Sequence, residues 1–94
     1  MKKTVVVGDS EVGVEVNEGV MIVRGKKEAL QIVKDLVVYV TKKMGVAKAI
    51  RVEENSLVIE GVDEVIWDAL DQELGKLDVK LSVDTISGEK NESR

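Results

Sequence analysis

Carboxylates are the residues of this chain whose types and spacing come nearest to a chemical site. Glu64, Asp68 and Asp71 recur at i, i+4 and i+7, with Asp63 just before them and Glu73 just after. On a helix that spacing stacks side chains along one face. Stacked carboxylates repel, and a hard cation that takes oxygen ligands, calcium or magnesium, relieves the repulsion. A straight helix face converges few ligands on one point, and the loop spacing of a calcium hand is absent. A site built from Asp63, Glu64, Asp68 and Asp71 is therefore expected to be weak, with a Kd on the order of 10⁻⁴ to 10⁻³ M. The competing reading is a solvated face partly neutralised by lysines. Acid-base catalysis needs a carboxylate shielded in a cleft, and spacing alone marks no such pair.

The bases fall elsewhere. From Arg24 to Arg51 eight bases face two acids, a net of +6, and from Glu53 to Asp78 nine acids face one base, a net of −8. Lys42, Lys43, Lys48 and Arg51, with Lys26, Lys27 and Lys34, have the charge footprint of a phosphate-backbone contact within the block 24–51. Aromatic platforms usually accompany such a footprint, whereas this chain has one Trp, one Tyr and a net charge of −4. A third reading uses both blocks at once. If a basic and an acidic helix lie side by side, cross-helix ion pairs follow, each contributing about 0.2–1 kcal/mol and more as a network at high temperature. The same complementarity can dock one molecule's helix on another's.

Val5-Val6-Val7-Gly8-Asp9-Ser10-Glu11-Val12-Gly13 resembles the opening of the phosphate-binding loop of small GTPases, a strand running into Gly-Asp-Ser-x-x-Gly. The resemblance covers about nine residues and ends where the chemistry begins. Val14 stands where the phosphate-gripping lysine belongs, and Glu15 stands where the magnesium hydroxyl belongs. No helix pattern follows to aim its amino-terminal dipole at a phosphate. Gly8-Asp9-Ser10 is read instead as a hairpin turn.

Composition narrows the classes further. With no cysteine and no histidine among 94 residues, disulfides, thiolate nucleophiles, cysteine or histidine zinc sites and histidine acid-base catalysis are all excluded. Apolar runs such as Leu36 to Val40 are too short to span a bilayer, and Gly8-Asp9 interrupts the run behind Met1-Lys2-Lys3 before it becomes a signal sequence. A cytoplasmic protein is expected. The wealth of valine, lysine and glutamate resembles hyperthermophile usage, and element order and composition are similar to those of small archaeal proteins.

The elements that must position these residues are organised by an echo. Val14 to Gly25 returns 36 residues later as Ile50 to Gly61, each copy an alternating strand, a polar turn, a denser apolar strand and a glycine. Thr4 to Val7 and Val12 to Val16 are the first strands, and Asn17-Glu18-Gly19 turns the chain into Val20 to Arg24. That strand is apolar on both faces, so it is expected to be central and covered on both sides. Lys26 to Met44 forms the long helix, with Ala29, Leu30, Val33, Val37, Val40 and Met44 inward. Ile32, Leu36 and Tyr39 add a flanking stripe, covered either by the second helix or by another subunit. Ala49 to Glu53 and Leu57 to Glu60 repeat the hairpin. Val62 to Leu74 forms the second helix with Val62, Ile66, Ala69, Leu70 and Leu74 inward and Trp67 at its margin, and Val79, Leu81 and Val83 mark a last strand.

The order β-β-β-α-β-β-α-β specifies an α+β two-layer sandwich, two helices on a mostly antiparallel sheet of about six strands with room for one parallel neighbour. Residues 1–86 are expected to form one domain and 87–94 a disordered polar tail. The functional expectation is a small non-enzymatic binding or assembly module with a protein partner or a second copy as its ligand. Weak cation binding and nucleic-acid contact stand as alternatives.

Overall fold

Val12, Val14 and Val16 alternate with Glu11, Gly13 and Glu15, and period two turns one set toward a core and the other toward solvent. The computed structural model, which describes residues 1–46 and 48–77, builds a sheet on that alternation. Its elements are β1 (Lys2–Val7), β2 (Ser10–Asn17), β3 (Val20–Arg24), α1 (Lys27–Met44), β4 (Ile50–Val52), β5 (Ser56–Glu60) and α2 (Glu64–Gly75). The strands lie in the order β1-β2-β3-β5-β4, with every pairing antiparallel. The described sheet thus has five strands rather than about six, and the expected strand Val79 to Val83 lies outside the described residues, as does the tail 87–94. Among the described residues no strand takes the place of a parallel neighbour: α1 carries the chain past β3 to β4 at the edge, and β5 returns between them, antiparallel to both.

Both helices lie on one face of the sheet. Val12, Val14, Met21, Val23, Leu57 and Ile59 point from the strands into a core shared with Val33, Val37 and Val40 of α1 and Ile66, Leu70 and Leu74 of α2. β3 is central, as expected, but it is covered on one face only: Met21 and Val23 are fully buried, whereas Val20 and Ile22, turned the other way, are half-buried. A continuous apolar run reads as a strand covered twice; here the second face carries Ile22 and Val58 side by side among charged neighbours. In the helices, Met44 is exposed, contrary to its inward placement, whereas Ala69 is half-buried and packs against the core. The buried place near the end of α1 goes to Thr41, whose Oγ1 donates to Val37 O at 2.8 Å and so brings no unsatisfied hydroxyl into the core.

Turns and caps account for the boundaries. Glu18 and Gly19, with φ of 52° and 79°, make a two-residue hairpin turn in the doubly positive conformation that suits the twist of β2 and β3. Past the end of α1, Gly45 adopts a φ of 76°, and the N–H groups of Gly45 and Val46 close onto the carbonyls of Lys42 and Thr41. The two hairpins pair alike. Val14↔Val23 and Val16↔Met21 in the first correspond to Ile50↔Ile59 and Val52↔Leu57 in the second, each strand displaced by 36 residues.

Candidate functional site

The acidic residues of α2 are distributed by their local roles. Asp63 is the N-cap: its Oδ1 accepts from Ile66 N at 2.8 Å, which satisfies one of the helix's free donors. Asp71 accepts from Lys3 Nζ at 2.6 Å across the gap to β1. Glu64 and Asp68 remain exposed. Of the four residues proposed to ligate a cation, two therefore have structural partners of their own, and among the described residues no group of three carboxylates converges to hold a metal ion. A helix start needs an acceptor, and a carboxylate fits that need whether or not a metal is present.

Lys3 escaped the sequence reading. Besides its bond to Asp71, its Nζ lies 5.9 Å from the centroid of the Trp67 ring. Trp67 and Asp71 are one helical turn apart on α2, so a single ammonium from β1 meets an aromatic face and a carboxylate together. The sequence held half of the clue, the i, i+4 spacing of Trp67 and Asp71. The other half, that β1 runs beneath α2, is a matter of topology.

The basic residues do not share one surface. Lys42 and Lys43 stand exposed in the last turn of α1. Lys48 lies across Gly61, where an added Cβ would come within 3.1 Å of its Nζ. Arg51 pairs with Val58 in the ladder and so points away from the helices, to the opposite side of the sheet. There it binds Glu60 at 2.8 Å and Glu53 at 3.4 Å. Of the four residues put forward for nucleic acid, only Lys42 and Lys43 are neighbours on one exposed face.

The stripe on α1 is covered in part. Leu36 is half-buried against the core, whereas Ile32 and Tyr39 are 45% and 55% exposed. Tyr39 and Lys43, with Lys43 Nζ 5.7 Å from the ring centroid, line a cleft of about 370 Å³ whose other wall is Ala69, Gln72 and Glu73 of α2. α2 thus approaches the flank without closing over it. The cross-helix ion pairs expected from the two charge blocks are not formed: among the described residues the ion pairs are those of Lys3, Arg24, Arg51 and Lys76, and none joins a lysine of α1 to a carboxylate of α2. The two helices carry opposite charge on surfaces turned outward. No helix of the described residues is long and apolar enough to cross a membrane.

No family model, curated protein or solved structure matches the chain.

Proposed function

We propose that the chain is a small non-enzymatic assembly module that pairs with a second copy of itself through its helical layer. The observation that carries this reading is the outer flank of α1, where Ile32 and Tyr39 stand exposed at helical spacing on either side of Leu36. Single exposed apolar residues are ordinary. These are aligned, and the two helices carry exposed charge of opposite sign, Lys42 and Lys43 on α1 and Glu64 and Asp68 on α2. None of those four is ion-paired among the described residues. A two-fold dimer brings the same patch of each copy together, so α1 of one copy meets α2 of the other and both sets of charge are neutralised at once.

Two further observations support the reading. Thr41 is the only buried polar side chain among the described residues, so every described titratable group is at least partly solvated rather than shielded for acid-base work. A chain without cysteine has no disulfide that calls for an oxidising compartment, in keeping with a cytoplasmic setting. The cation and nucleic-acid readings draw less support, since Asp63, Asp71 and Arg51 have partners within the chain.

Light scattering across a concentration series tests the proposal. The expected mass rises toward twice the 10.3 kDa of the chain, and Ile32→Glu returns it to the monomer with an unchanged circular dichroism spectrum. A monomeric mass for the unaltered chain at about millimolar concentration, where even a weak dimer would be populated, overturns it.

A further inference from the structure

The sheet ends at β4, and the bonds at either end of its pairing with β5 show which of its backbone groups face out. Glu53 N donates to Ser56 O at 2.8 Å, and Glu60 N donates to Ala49 O at 3.0 Å. In an antiparallel ladder the bonded pairs recur at every second residue, so Arg51 bonds to Val58, and the N–H and C=O groups of Ile50 and Val52 point away from the sheet. No strand among the described residues lies beyond them. The side chains of the same two residues turn toward α1, since they stand opposite Ile59 and Leu57 of the core. Ile50 packs against that core, whereas Val52 is 62% exposed, more than any other large apolar side chain of the described strands. Beside Val52, the edge and α1 form a pocket of about 170 Å³, with Leu30 and Leu57 at its floor and Lys27, Gln31 and Lys34 along its helical wall. A cavity of about 150 Å³ holds a benzene-sized group, so the pocket has room for one aliphatic side chain.

We propose that the groove between β4 and α1 takes up an extended peptide of a partner protein, which adds to the β4 edge as a further strand and presents the pattern acid-x-aliphatic-x-acid to α1. Ile50 and Val52 supply the main-chain bonds and the pocket takes the aliphatic side chain, the division of labour usual in strand addition. Alternate residues of an added strand face the same way, so all three specified side chains meet the helix. Charge complementarity identifies the two acids. Lys27 and Lys34 are seven residues apart on α1, about 10 Å along its axis, and positions one and five of an extended strand are about 13 Å apart, a difference that lysine side chains span. Neither lysine is ion-paired among the described residues. The carboxylate of Glu53, on the opposite lip, is engaged by Arg51 Nε at 3.4 Å and Ser56 Oγ at 3.1 Å. Set against Glu54, exposed in the turn beyond β4, the two lysines leave the groove with a net charge of +1. Lys27, Gln31 and Lys34 occupy a different flank of α1 from Ile32 and Tyr39, so the proposal stands apart from the pairing of helical layers.

Titration of the full chain with the peptide Ser-Glu-Thr-Ile-Thr-Glu-Ser, acetylated and amidated at its ends and followed by amide NMR, tests it. The expected result is saturable shifts confined to β4 and the first two turns of α1, with amide exchange of Ile50 and Val52 slowed at least about tenfold by saturating peptide. Arg51 and Val58, bonded to each other, report that the sheet is intact. Val52→Pro removes an outward N–H and leaves the ladder to β5 whole, so it should abolish the slowing at Ile50. Lys34→Glu should weaken binding about three- to tenfold, and a peptide with lysine in place of both glutamates should bind more weakly still. No shifts at about millimolar peptide overturn the proposal. So do shifts without protection of Ile50 and Val52, equal affinity for the lysine peptide, or an affinity that neither variant changes. Slow exchange of Ile50 and Val52 without peptide overturns it as well, assigning the edge to a second copy where dilution relieves it and to the chain itself where dilution does not.

Discussion

Single residues in this chain are chosen by the backbone as often as by chemistry. Asn17-Glu18-Gly19 is legible in the sequence as a turn, yet the positive φ falls on Glu18 and not on Asn17, which ends β2. A long L-residue in that conformation is strained, and asparagine tolerates it better. Glu18→Asn should therefore raise the free energy of unfolding by several tenths to about 1 kcal/mol in urea titration; a loss of stability would show that Glu18 has a role the turn does not explain. Asp63 illustrates the opposite risk, a residue read as chemistry that is architecture. Its bond to Ile66 N makes it a cap, so Asp63→Ala should destabilise by about 1 kcal/mol while Asp63→Asn loses little. Equal losses from the two substitutions would point instead to the carboxylate charge. The acidic spacing on α2 was visible from the sequence. That Asp71 faces Lys3 was not, because nothing in one strand reveals which helix will lie above it.

Elements were more legible than sites, for a physical reason. Period two and period 3.6 are imposed by the backbone itself, so Val12-Val14-Val16 and Leu30-Val33-Val37-Val40 announce a strand and a helix face without knowledge of their partners. Coverage of the second sheet face was not legible. Val20 to Val23 is apolar throughout, and a run of that kind looks alike whether both faces are covered or one face is shared with charged neighbours whose stems shelter it. The distinction is measurable at adjacent positions. Met21 is fully buried and Ile22 half-buried, so Met21→Ala should cost about 2–5 kcal/mol of stability and Ile22→Ala only about 1 kcal/mol. Comparable losses would mean that the face bearing Ile22 and Val58 is a second core. Strand order, too, was beyond the sequence: an insertion of β5 between β3 and β4 and a parallel crossover present the same elements in the same succession.

At the scale of the whole molecule the separation of charge along the chain, visible in the sequence, becomes a separation between two helices that do not neutralise each other. The net charge of −4 sets a weak mutual repulsion between copies, felt over a Debye length of about 10 Å at 0.1 M salt. Pairing of α1 with α2 across a dimer must outweigh it through close contacts that salt also screens. Two to four exposed lysine–carboxylate pairs, at about 0.2–1 kcal/mol each, amount to roughly tenfold in Kd, so raising salt from about 0.05 to 0.5 M should weaken a dimer held this way by about that factor. Repulsion between like-charged copies without complementary contacts predicts the reverse, a dimer that tightens as salt rises. Sedimentation equilibrium at the two salt concentrations decides between them, and the variant Lys42→Glu with Lys43→Glu assigns the effect. It should weaken the dimer at low salt and make little difference at high salt, whereas Ile32→Glu should abolish association at both. A salt response left intact by the double reversal would place the charged contact somewhere other than the last turn of α1.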